Sequence, residues 1–132
     1  MTRSVTAASL VLATCILLPA VGEAHHSATM FDNKKIVTLK GVVKEFQFTN
    51  PHSWLLVDVK NPDGTVTTWG FEAEGPNTLM QAGIKRSSFV PGAEITISGF
   101  PMKDGRPAAA MSKAVTADGT EYYPRGRNPS IY

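Results

Sequence analysis

Between residues 36 and 117 the chain is cut by turn-forming clusters into apolar runs of strand length, and this rhythm excludes most folds. Asn61-Pro-Asp-Gly64 is the strongest of these turns, because Pro presets φ and Gly accepts positive φ. Asn50-Pro51, Pro91-Gly92, Lys103-Asp-Gly105 and Asp118-Gly119 repeat the signal. A chain punctuated this way folds as a meander of short strands.

The runs carry period-two alternation. Ile36–Phe48 has Val37, Leu39, Gly41 and Val43 on one parity, with Phe46 and Phe48 on the other. The switch predicts a bend or bulge between Gly41 and Glu45. Leu55, Val57 and Val59 alternate in the run Trp54–Val59, and Trp69 and Phe71 share a parity in the run Val66–Glu72. Gly75-Pro-Asn77 then opens a short helix over residues 76–82, since Pro is tolerated in a first turn where its missing N–H is not needed. Leu79, Met80 and Ala82 give that helix an apolar face, and Gly83 closes it. Glu94–Phe100 and Ala108–Ala117 complete the set. Three strands, a short helix and two strands is the order of an OB-like fold, a small five-stranded antiparallel barrel. An immunoglobulin-like sandwich needs about seven strands and no helix in that place. Val57, Trp69, Phe71, Ile95 and Ile97 are the expected core.

Residues 1–24 read as a signal peptide. Arg3 supplies a positive charge, Val11–Leu18 an apolar stretch, Pro19 a helix break, and Gly22 and Ala24 the small residues that cleavage favours. The stretch falls well short of the ~20 apolar residues of a membrane span. Cys15, the single cysteine, lies inside it, so the mature chain folds without disulfides. Cleavage removes one base and one acid and leaves the formal charge of +2 unchanged. So weak a charge argues against nucleic acid as a partner, and loss of the leader leaves no stable membrane anchor. The expected organisation is a leader over 1–24, one OB-like domain over 25–121 and a flexible tail over 122–132.

Ala24-His-His-Ser27, Met30-Phe-Asp32, Gly41-x-Val43 and Phe48-Thr-Asn-Pro-His-Ser-Trp54 together resemble a family of short exported bacterial proteins of unknown function. Trp69-x-Phe71-Glu72, Gly75-Pro-Asn-x-Leu79, Pro91-Gly92 and Pro101-x-x-Asp-Gly105 extend the resemblance over nearly all of the mature chain. It implies export to the periplasm and a single β-domain. It implies no reaction, ligand or catalytic residue.

All three histidines fall in those motifs. Cleavage after Ala24 makes His25 the N-terminus, where amine and imidazole of one residue form a chelate. His26 or His52 can complete a nitrogen set of the kind that suits Cu(II). Copper is therefore the expected cofactor, with His25, His26 and His52 as candidate ligands. The His52 version requires residues 25–32 to fold back over the Asn50-Pro51-His52 turn, with Met30 and Phe31 as an apolar anchor. Met80, Met102 and Met111 offer a thioether set for Cu(I), but without Met-x-Met spacing they read first as packing residues. Glu72 and Glu74 share a parity and read first as solvated acids at a strand end. No nucleophile–base arrangement is recognisable, so the expected role is a binding or accessory module and not an enzyme. A non-metal ligand site or an interaction surface on the aromatic face is the alternative.

Overall fold

The computed structural model describes residues 29–126. The leader, His25 and His26 lie outside the described residues, as does the chain beyond 126. Six strands form one sheet: β1 Val37–Gln47, β2 Ser53–Lys60, β3 Val66–Ala73, β4 Glu94–Pro101, β5 Ala108–Thr116 and β6 Glu121–Tyr122. One α-helix, α1 (Pro76–Gln81), and a 3-10 turn, Arg86–Ser88, lie between β3 and β4. The hydrogen-bonded order is β3-β2-β1-β4-β5-β6, and an added pairing of β3 with β5 closes the first five strands into a barrel. The OB-like expectation holds. One detail differs: the closing pair is parallel, Gly70–Glu72 against Ala108–Ala110, so the barrel is mixed and not purely antiparallel. A hairpin meander cannot close on itself with an odd number of strands by antiparallel pairing alone, which accounts for the one parallel seam.

Strand β1 serves both halves of the barrel. Val37–Val42 pair with β4, and Val42–Gln47 pair with β2. The expected irregularity is there, with the β2 register shifting between Val43 and Glu45. That extra residue turns Val43 and Phe46, three positions apart, both into the core. A Cβ at Gly41 would sit 2.5 Å from the Asp58 carbonyl oxygen and 2.7 Å from Val57 Cγ1, so no side chain fits where β1 crosses β2.

The core follows the alternation. Leu55 and Val57 of β2, Phe71 of β3, Ile97 of β4 and Ala109 of β5 are fully buried. Trp69 is only partly buried and stacks on Phe71 at a centroid distance of 6.2 Å. The helix contributes less than its sequence implied, since Leu79 is buried while Met80 is exposed. Its end compensates. The Gly83 N–H donates to the Met80 carbonyl and the Ile84 N–H to the Leu79 carbonyl, which is the Schellman pattern. Leu79 and Ile84 are thereby brought together, both fully buried, and Phe89 follows them into the core.

The described chain stays packed past residue 121. Tyr122 pairs with Ala114 in β6 and stacks edge-on against Phe89, and Pro124 is buried. The β5–β6 turn is held by Asp118, whose carboxylate accepts from the Thr116 hydroxyl at 2.6 Å and the Thr120 N–H at 3.0 Å. Those bonds, the Thr116 hydroxyl foremost, pull the Asp118 carboxyl down from 3.8 to about 2.

Gly41→Ala should destabilise the domain by about 2 kcal/mol or more, read as a lowered urea midpoint, because the clash is with backbone. The depressed Asp118 carboxyl makes its contribution present above its unfolded value and lost as the pH falls toward 2. Amide exchange at Tyr122 should therefore accelerate, relative to the core strands, as the pH drops from 4 to 2. In Asp118→Ala that extra acid sensitivity should be gone.

Candidate functional site

The Asn61–Gly64 turn sets the β2–β3 register, with Lys60 opposite Val66 and Trp54 opposite Glu72. His52 lies two residues before Trp54, and this register carries it to the end of β3 where Glu72 and Glu74 stand. Close approach at Gly75 keeps the Asn50-Pro51 turn there. A Cβ on Gly75 would lie 2.8 Å from the Pro51 carbonyl oxygen and 3.1 Å from Asn50 Oδ1. The Ser53 N–H donates to the Glu74 carbonyl at 3.2 Å, which ties the start of β2 to the same place.

At that place His52 Nδ1 and Glu72 Oε1 share a hydrogen bond. Glu72 is 9% exposed and the imidazole 38%. A carboxylate this buried needs a partner, and the imidazole supplies it. When neutral, His52 donates from Nδ1 to the ionised carboxylate and presents Nε2 as an acceptor. Among the described residues nothing engages Nε2. Beside this pair Glu74 accepts from Arg125 Nε in a second ion pair. With the imidazole neutral, two carboxylates face one guanidinium, so the cluster carries one net negative charge.

These groups are among those that line a cavity of about 160 Å³. Phe31, Phe100, Ala110, Met111 and Pro124 supply its apolar walls. Ala110 stands opposite Glu72 across the parallel seam and opposite Phe100 on β4, and its small side chain leaves the hollow open. Phe31 is buried and reaches the cavity because residues 29–32 are fastened along the end of β4. Lys103 Nζ donates to the Thr29 carbonyl at 2.8 Å and the Lys103 N–H to the Met30 carbonyl at 2.9 Å. The Asp32 N–H donates to the Pro101 carbonyl at 2.8 Å, and Phe31 bridges Met102. The Lys34 N–H, with Lys35 beside it, holds the Asp32 carboxyl below the usual carboxylate range and fixes the turn that follows.

Of the three candidate ligands, His52 belongs to this cavity, and His25 and His26 precede the described residues. Among the described residues no three His, Cys, Asp or Glu side chains form a metal-holding group. The three methionines do not converge on the cavity. Met80 is exposed on α1, Met102 bridges Phe31, and only Met111 lines the hollow. Glu72 and Glu74 are not free acids, since each is paired at the site, Glu72 with His52 and Glu74 with Arg125. Counting register outward from the Asn61–Gly64 turn would have set His52 across from Glu74. Nothing local in the sequence points to Arg125.

Fold and site together define a small OB-like barrel with a histidine–carboxylate pair lining a partly apolar cavity. Residues 13–112 match the model of DUF6152, a family of unknown function, and the chain belongs to that family. No curated protein and no solved structure matches it. Among the described residues no helix is long and apolar enough to cross a membrane.

Glu72→Leu should free the imidazole tautomer. Nitrogen-detected NMR of His52 at pH 8 should show one Nδ1–H form in the native protein and a mixture in the variant. A single unchanged tautomer in the variant would show that Glu72 does not orient the ring.

Proposed function

We propose that this chain is an exported, periplasmic binding module that holds one Cu(II) ion at its mature N-terminus. The His25 amine and imidazole form the chelate, with His52 or His26 completing the nitrogen set. The observation that carries this reading is the state of His52. Its Nδ1 is taken by a buried carboxylate and its Nε2 is left as a ligand, the arrangement in which metal-bound imidazoles are generally held. Two further features support it. Phe31 is pinned in the wall of the same cavity, so the segment leading back to the N-terminus starts beside His52. The net negative charge of the Glu72, Glu74 and Arg125 cluster favours a cation.

Such a site is a carrier or accessory site. Glu72 would act through His52, and the backbone bonds at Thr29–Asp32 would hold the chelating end near it. The leader is part of the reading, because only cleavage before His25 puts the free amine on a histidine.

Intact mass of protein recovered from the periplasm should correspond to a chain starting at His25. Calorimetry on that protein should give one Cu(II) per chain. One residue added before His25 should weaken copper at least a hundredfold, and His52→Ala about tenfold, while His26→Gln should have the smaller effect. Equal affinity of the extended and native chains, or affinity no tighter than micromolar (about 8 kcal/mol), would overturn the copper reading.

A further inference from the structure

The cavity beside His52 has a volume and apolar walls that the copper reading does not use. We infer that it is a binding site for a small single-ring molecule bearing a hydrogen-bond donor, a hydroxyl or an ammonium group. Its volume, about 160 Å³, matches that of an apolar protein cavity of about 150 Å³ known to hold benzene. Phe31, Phe100, Ala110, Met111 and Pro124 offer a ring the apolar contact it needs. The described apolar walls come from the N-terminal segment, β4, β5 and the chain after β6.

The polar lining sets the ligand's chemistry. An ionised carboxylate accepts only, and the two here belong to Glu72 and Glu74. His52, bonded through Nδ1 when neutral, also presents an acceptor. Arg125, the one arginine or lysine among the described lining residues, directs Nε to Glu74. The lining asparagine, Asn33, can serve either role. With the imidazole neutral, these polar groups are therefore acceptor-rich and carry one net negative charge. A ring carrying a carboxylate would meet two fixed carboxylates in a partly desolvated space, where repulsion is stronger than in water. A ring carrying a hydroxyl donates to His52 Nε2, and a ring carrying an ammonium gains the charge as well. Anions are excluded by the same groups that attract donors.

Phenol, benzylamine and benzoate separate these cases because they share a ring and differ in charge. Each is titrated at pH 8 into the mature protein stripped of metal with EDTA, so the outcome is independent of copper affinity. The readouts are the Ala110 and Met111 methyl resonances in carbon–proton spectra. Phenol, benzylamine or both should shift these methyls saturably, with benzoate at least tenfold weaker. Phenol alone identifies a neutral hydroxyl ligand, and benzylamine the stronger of the two a cationic one. Ala110→Leu fills the hollow and should abolish the shift of Met111. His52→Ala leaves the walls intact and should weaken phenol severalfold, which keeps the test decisive if Ala110→Leu does not fold. Benzoate binding as tightly as the others, or no saturable shift with phenol or benzylamine, would overturn the proposal.

Discussion

One strand has to belong to two half-sheets, and the rest of this molecule depends on how β1 does so. Its first half pairs with β4 and its second with β2, and the change of partner is accommodated by Gly41, where the backbones nearly touch, and by the extra residue between Val43 and Glu45. Without that bend the two halves would splay into an open sheet whose outer edges would have to be shielded by other means. With it, β3 and β5 meet and the barrel closes with no disulfide to assist. The interior then fills with one alternating set of Leu, Val, Ile and Phe side chains, plugged by Leu79, Ile84 and Phe89 from the connection between β3 and β4.

The site is a product of the same closure. Glu72 comes from β3, Ala110 from β5, Phe100 from β4 and His52 from the turn before β2, and the parallel seam is what draws the first two together. Burial of Glu72 is tolerable because His52 shares its hydrogen bond, and His52 is held in place because Gly75 lets the Asn50-Pro51 turn lie close. Two pairs, His52 with Glu72 and Arg125 with Glu74, line a cavity whose other described walls, Asn33 apart, are apolar. A ligand entering it finds carbon on most sides and a cluster of acceptors.

Features fixed by neighbours in sequence were legible before the structure. The Asn61–Gly64 turn, the parity switch in β1 and the Gly83 helix end each depend on a few adjacent residues, and each appears where the pattern put it. The parallel seam had no such signature, because Gly70–Glu72 and Ala108–Ala110 are almost forty positions apart and neither run announces its partner. The same holds for the site. His52 stood out by rarity and Glu72 by parity, yet their pairing is a matter of register. The residues from Pro124 on carry no period, so Pro124 and Arg125 read as tail, although one is buried and the other ion-paired. Trp69 shows the limit of alternation as a guide to depth. Its parity is that of Phe71, but it lies before the Gly70–Glu72 stretch that pairs with β5, and it is only partly buried.

The position of β5 in the chain has a consequence in time. The β1–β2–β3 meander is made of local hairpins that can form as soon as those residues exist, whereas the wall containing Ala110 and Met111 belongs to the last long strand. Contacts spanning so much chain form late, since the loop between them must be ordered first. A nascent or truncated chain that stops short of β5 would still hold His52 and Glu72 on adjacent strands, but it would have no hollow beside them. Competence to bind a ring is thus acquired only on completion of the barrel. Occupancy of the cavity would report that the whole domain has folded, much as a latch that engages only when a door is fully shut.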